Sequence, residues 1–374
     1  MSSEEIFDKI EKLAGLRDRG LLNEEEFAEQ KSTLLAGLSN TSTPSNEKKE
    51  LNFQSMSNAI TGRLGLDHIE EFSAKSFFSD VFKKHDANDL ENIFSVGSAV
   101  TTPKINLQMS NLPNPWVFFR VLVGSLIAYA VFYYAWERTE NIKIVPGLII
   151  VGSFAVPIST LILYFELNTP RNVSLIRIIQ LVVMGGAASI LFSLLLYDAT
   201  PMLGVFGDSA AGIVEEIGKL GIVLLSMRFL PMDRYPYLLN ALLFGAAVGT
   251  GFAAFESAGY ALEIGLSDTD AMLSNITLRG LMSPFAHIAW TSLAAAGYWR
   301  ARSEVGSFGE VLSSSKFWMI FAFAMALHFI WNAPFEGPFM IKYLVLGFAA
   351  WVAIISLISS GLREVGKIAE QRVS

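Results

Sequence analysis

From Trp116 onward the chain alternates long apolar runs with short polar breaks. Runs at roughly 117–136, 144–165, 174–197, 209–230, 238–263, 279–299, 316–335 and 339–361 each approach the ~20 residues an α-helix needs to cross a hydrocarbon core. This pattern predicts an all-α, polytopic bundle of about eight transmembrane helices. Eight crossings return the chain to its starting side. Loops and termini on that side hold eleven Lys or Arg side chains, among them Lys104, Arg171, Arg234, Arg300, Lys316 and Arg363. The alternate loops hold Arg138, Lys143, Arg279 and Lys342. Basic residues collect on cytoplasmic loops, so the bias predicts a multi-pass protein of the cell (plasma or inner) membrane with both termini cytoplasmic.

Ahead of the apolar runs the period changes. Residues 4–19 place Ile6, Ile10, Leu13 and Leu16 on one helical stripe, and Gly20 is a natural stop. Asn23 followed by Glu26 reads as a capping box opening a second amphipathic helix that carries Phe27, Leu34 and Leu35. Residues 1–38 are therefore expected to form a small helical hairpin, too small for a core of its own and in need of a partner. The polar stretch 39–50 reads as a flexible linker. Residues 51–115 read as a cytoplasmic juxtamembrane region with short helices around Phe77–Phe82 and Leu90–Phe94, broken by Pro103, Pro113 and Pro115. His68 and His85 there read as solvated surface histidines. Residues 116–362 form the membrane core, and 363–374 read as a cytoplasmic tail.

Composition narrows the function classes. Of 374 residues, 52% are hydrophobic and 17% charged, against roughly 25% charged in soluble proteins. The deficit is local, because 18 of the 35 acidic and 12 of the 28 basic side chains precede residue 111. No basic face points to nucleic acid. The absence of cysteine excludes disulfides, thiolate metal sites and a cysteine nucleophile. The polar, acidic start has no apolar core of a cleavable signal peptide.

Within the apolar run at 209–230, Glu215, Glu216 and Lys219 interrupt the hydrocarbon pattern. Each such group costs roughly 2.5–3.5 kcal/mol at membrane depth on insertion scales, so these groups face a bundle interior or a wet cavity. Lys219 is i+4 to Glu215 and i+3 to Glu216, so it can neutralise one carboxylate while the other points elsewhere. Taken alone, the set also fits a buried ion pair that fixes helix register. The predicted helices, however, bring Glu256, His287, His328 and Asn332 to the same depth as the two glutamates, near 10 Å below the outer surface at about 1.5 Å per residue. Two of the four histidines thus converge with carboxylates in the outer half of the bilayer. Gly245, Gly249 and Gly251 permit close helix contact, and Trp290 and Trp331 read as packing beside the cluster.

The order Glu215-Glu-x-x-Lys219, Gly251-Phe-x-x-x-Glu256, His287 in Ala286-His-Ile-Ala-Trp-Thr291, then His328-x-x-x-Asn332, resembles the PrsW-type intramembrane proteases. That family belongs to the superfamily of CAAX-prenyl proteases and bacteriocin-processing enzymes. Phe165-Glu-Leu-Asn-Thr-Pro-Arg171 is also similar to the family's segment between its second and third helices. Glu256 stands where the CAAX branch has histidine, which argues against prenylated substrates. The stretch Leu13 to Leu35 resembles the SHOCT module, a helical hairpin associated with oligomerisation or partner binding.

The resemblance implies an intramembrane or juxtamembrane endopeptidase acting on membrane proteins, anti-sigma factors being the substrates associated with PrsW-type members. Glu215 or Glu216 would be the general base that activates water, tempered by Lys219. Glu256, His287 and His328 would either bind zinc or another divalent metal, as in His₂Glu hydrolases, or polarise the scissile carbonyl, with Asn332 as oxyanion donor. Two other classes use the same cluster: a catalytically silent membrane scaffold or immunity protein, and a proton-coupled transporter. The chain offers no inverted repeat for the transporter.

Overall fold

The computed structural model describes Leu13 and residues 53–67, 73–228, 234–305, 307–335 and 340–373. The expected hairpin at 1–38, the linker at 39–50 and His68 lie outside the described residues.

In hydrocarbon every backbone N–H and C=O must be satisfied within its own segment, so long apolar runs fold as helices. Among the described residues all regular structure is helical and no strand occurs. Before the membrane part come α1 (Phe53–Arg63), α2 (Ala74–Phe77), α3 (Ala87–Phe94) and a 3₁₀ turn at Leu107–Ser110. Next are α4 (Val117–Thr139) and α5 (Val145–Leu167), then α6 (Leu175–Gln180) and α7 (Gly186–Ala199), joined through a π-turn at Leu181–Gly185. A 3₁₀ stretch at Pro201–Ala210 leads into α8 (Ala211–Arg228). The chain continues through α9 (Leu238–Gly265), α10 (Thr269–Met282), α11 (His287–Val305), α12 (Phe308–Ser313), α13 (Ser315–Trp331) and α14 (Ile341–Val373).

Five helical stretches are long and apolar enough to cross a membrane by length and composition: 117–139, 142–167, 175–199, 238–265 and 341–372. The other three expected crossings take the form of α8, α11 and α13. The first two carry the charged cluster or a charged end, and α13 has only 17 residues. The chain is thus a polytopic membrane helix bundle.

The bundle is organised around α9. In its most apolar 18-residue window 94% of residues are buried, against 6% for α4, which lies on the flank. Small residues let α9 and α11 touch backbone to backbone. A Cβ added at Gly245 would lie 2.5 Å from the Thr291 carbonyl oxygen, and one at Gly249 would lie 2.6 Å from the His287 carbonyl oxygen. Since neither backbone can yield cheaply, Gly249→Ala should push the start of α11 outward. We expect a stability loss of about 1–3 kcal/mol, read as a lower Tm in detergent, together with loss of activity.

The expected helix at 279–299 is two helices. Pro284 lacks the N–H that a continuous helix needs, and the chain turns through a 3₁₀ segment at Ser283–Phe285 before α11 starts at His287. Trp351 ties this turn to α14 by donating its Nε1–H to the Pro284 carbonyl at 3.0 Å. The last membrane helix likewise runs past its expected end at 361. Leu362, Val365 and Ala369 continue its buried stripe, so residues 363–373 are helical. Arg363 pairs with Asp67 at 2.7 Å, and Ser356 donates to the Asp67 carbonyl at 2.6 Å, which docks the end of α1 on α14.

His85 departs from the surface reading. Its ring stacks on Trp116 with centroids 3.7 Å apart and planes within 4°, and Nε2 lies 2.9 Å from the Asp80 carbonyl. The Phe165–Arg171 segment has a structural role. The Glu166 carboxylate accepts the backbone N–H groups of Trp116, Val117 and Phe118 at 2.8, 3.0 and 2.9 Å. It satisfies three orphan donors at the start of α4 and places negative charge at the positive end of the helix dipole. Asn168 and Asn172 bond to Asn240 at the start of α9 at 2.8 and 2.7 Å.

Candidate active site

The second turn of α8 supplies Glu215 and Glu216, and the third supplies Lys219. Glu216 and Lys219 are fully buried, and Glu215 is nearly so. The i,i+3 spacing puts Lys219 Nζ 2.6 Å from Glu216 Oε1, while Glu215 Oε2 remains 3.8 Å away. Glu216 is therefore the carboxylate that Lys219 neutralises. The ammonium also lies 4.4 Å from the centre of the Phe252 ring, a cation–π contact contributed by α9.

The two histidines arrive on separate helices. His328 lies in the last turn of α13 with Nδ1 2.9 Å from Glu216 Oε1. Its ring stacks on Trp290 at 4.2 Å between centroids. Trp331 packs edge-on against Trp290, so both tryptophans serve as walls. Asn332, the residue that ends α13, points its amide at His328 Nε2 (3.3 Å) and at the Asp208 carbonyl (3.3 Å). His287 opens α11, its Nε2 3.0 Å from Glu256 Oε2 and its Nδ1 2.9 Å from Lys219 Nζ.

These partners define the tautomers. Glu216 accepts a hydrogen bond from His328 Nδ1–H, and Glu256 accepts one from His287 Nε2–H. The lone pairs on His328 Nε2 and His287 Nδ1 then lie on the Glu215 side, where they accept from the Asn332 amide and the Lys219 ammonium. Between them stands Glu215 Oε2, buried and without a hydrogen-bond partner among the described residues, 3.8 Å from His328 Nε2 and 4.0 Å from His287 Nδ1. Glu215, His287 and His328 each offer a ligand atom within 4.8 Å of the others. Two neutral imidazoles and one carboxylate are a hydrolytic zinc donor set, and carboxylates on the far ring nitrogens are the usual support for such histidines. This donor chemistry fits a divalent cation.

Glu256, expected as a ligand, is placed behind His287 on its far nitrogen. Its other partner is the Arg279 guanidinium, which also donates from Nε to Ser257 Oγ at 3.1 Å and lies 4.4 Å from the Tyr260 ring. Arg279 was legible in sequence only as a loop cation used to orient the chain. Its charge partner is 23 residues away, and no local spacing marks it. A cavity of about 200 Å³ opens beside it and reaches His287, with Ser257, Met282, Trp331 and Tyr343 among its walls.

The cluster thus unites all seven residues that the sequence had marked, from α8, α9, α11 and the end of α13. A family model described as PrsW family intramembrane metalloprotease matches residues 173–358, which contain every one of them. A second model, SHOCT (short C-terminal domain), matches residues 8–35. No curated protein and no solved structure matches the chain. The motifs, the helical bundle and the buried cluster agree with that match: over residues 173–358 the chain is similar to the PrsW family of intramembrane metalloproteases, and over residues 8–35 to the SHOCT module.

Proposed function

We propose that the chain is an endopeptidase that hydrolyses peptide bonds of membrane proteins inside or beside the bilayer. The observation that carries this reading is Glu215 Oε2, a buried carboxylate oxygen with no hydrogen bond among the described residues, 3.8 Å from His328 Nε2 and 4.0 Å from His287 Nδ1. A buried acceptor left unpaired costs about 1–3 kcal/mol, and a scaffold needs no such arrangement.

Glu215, His287 and His328 would hold a divalent cation, zinc being the ion that this donor set suits best. A cation bound there polarises the scissile carbonyl and makes water more acidic. The remaining work falls to the chain's own groups. Glu215 faces the reacting point and accepts a proton from the attacking water, and that proton is passed on to the departing amine. Asn332 donates its amide N–H to the carbonyl oxygen as negative charge builds there. Glu216 and Glu256 hold the imidazoles in one tautomer with their lone pairs on the Glu215 side. Lys219 balances Glu216 and keeps two adjacent carboxylates compatible with burial.

In this reading the chain crosses the membrane eight times, both termini are cytoplasmic, and the cluster lies in the outer half of the bilayer. The basic-residue bias of the loops supports that orientation. Substrates are membrane proteins, those of the anti-sigma-factor kind among them, and residues 1–38 govern self-association or choice of partner. The test compares membrane proteomes from cells carrying the wild-type protein or Glu215→Gln. Cleavage fragments ending inside or beside a membrane segment should vanish in the variant. Identical fragment sets would overturn the reading.

A further inference from the structure

A second cavity, of about 430 Å³, lies apart from the catalytic cluster. Its walls come from α2, the first two turns of α4, the second half of α5, the Pro284–Phe285 turn and the middle of α14. Phe77, Phe118, Leu163, Phe285, Trp351 and Ile355 represent them. The only hydroxyl side chains in the wall are Ser159 and Thr160, and both are already spent on their own helix. Ser159 donates to the Ala155 carbonyl at 2.6 Å and Thr160 to the Val156 carbonyl at 2.9 Å. A peptide or polar ligand would lose its water and find no partner there, at a cost of several kcal/mol per group. Water would find no hydrogen-bond partner on these walls either. The chemistry of the walls therefore selects a hydrocarbon.

The source of that hydrocarbon follows from what surrounds the cavity. Three of its walls are helices long and apolar enough to span a bilayer. The α2 end carries the marks of an interface. Phe82 is 85% exposed, packs against Phe119 at 5.6 Å and is followed by Lys83 and Lys84. An exposed aromatic beside lysines is the composition of a headgroup-level anchor. Lys75 adjoins the wall residue Ala74, and Arg120 follows Phe118 and donates to the Lys83 carbonyl at 3.2 Å. These cations give the α2 end of the cavity a basic border, one of them, Lys83, being paired with Asp80 at 2.5 Å.

We infer that this cavity binds an acyl chain of a bilayer phospholipid, whose phosphate meets the basic residues around α2. The bound chain rests against the turn that starts α11. Trp351 both lines the cavity and holds the Pro284 carbonyl, and Phe285 packs so closely on α14 that a Cβ at Gly347 would lie 2.7 Å from its ring. The lipid thereby supports the backbone from which His287 projects. None of this depends on the proteolytic reading.

The test uses the full-length protein in nanodiscs of phosphatidylglycerol doped with phosphatidylglycerol that carries a mid-chain diazirine. After illumination, mass spectrometry should place adducts on peptides containing Leu163, Phe285 and Ile355. Leu163→Trp and Ile355→Trp, which add bulk to the cavity from two different helices, should each lose these adducts to background while keeping a cooperative thermal transition. Adducts confined to outward-facing α4 positions such as Ile127 and Val131 would overturn the inference. So would undiminished labelling in a folded variant. Labelling that arises only after residues 1–52 are deleted would show that the chain's own N-terminal part covers the cavity, and would overturn it equally.

Discussion

Glu215→Gln is expected to lower kcat by roughly 10²–10⁴-fold, the range for removing a positioned acid or base, while the Tm in detergent stays near wild type. Glu215 Oε2 makes no hydrogen bond among the described residues, so an amide in its place breaks none there. Glu216→Gln should abolish cleavage by a different route. Glu216 Oε1 is bonded to both Lys219 and His328, in a spot with no solvent access. Removing its charge leaves a buried ammonium without its closest counterion, a change worth up to about 3–5 kcal/mol. This variant should therefore show a clearly lower Tm besides lost activity. Paired kinetics and thermal unfolding separate the two roles. Equal Tm losses in both variants would show that Glu215 is as structural as its neighbour. Wild-type cleavage in both would remove the enzymatic reading altogether.

The difference between these adjacent glutamates marks the limit of what the sequence can carry. Helical spacing establishes that Lys219 can reach either carboxylate, but the choice falls to the partner helix, because His328 arrives on α13 and bonds Glu216. The apolar runs were readable because backbone satisfaction in hydrocarbon leaves the chain little choice. The break before His287 also had its signal in Pro284, overridden by the apolar character of the residues around it. The continuation of α14 past residue 361 was signalled too, by Leu362, Val365 and Ala369 at helical spacing after the hydrocarbon pattern ends. Other features had no local signal. The stacking of His85 on Trp116 joins residues 31 apart in a stretch without periodicity, and the bond from Arg279 to Glu256 is made only by the packing of α10 on α9. Convergence of polar groups at one depth located the cluster. Which of them share a single point is a matter of rotamers and ring faces, which no sequence pattern encodes.

Metal content tests that last distinction, and large effects are expected. Purified wild-type protein should carry about one divalent ion per chain, as a His₂Glu site with carboxylate-supported histidines would hold it. His328→Ala and His287→Ala should each reduce bound metal to background, since two ligands rarely retain an ion that needs three. Glu215→Gln should lose most of it as well, because an amide oxygen is a weak donor beside a carboxylate. Glu256→Gln is the informative variant. Glu256 lies behind His287 at 3.0 Å and is not one of the three groups around the shared point. Its loss should weaken metal affinity by roughly 10–100-fold, the usual effect of removing the support behind a ligand, and the ion should still load fully at high concentration. Titration against a chelator of known affinity measures both quantities on the same samples. If Glu256→Gln carried no metal at any concentration while Glu215→Gln loaded normally, Glu256 would be the ligand and Glu215 free to act purely as the base. An active wild-type preparation with substoichiometric metal that resists chelators would rule out the ion. The Glu215 carboxylate, with the His328 ring and the Asn332 amide beside it, would then have to perform the hydrolysis alone.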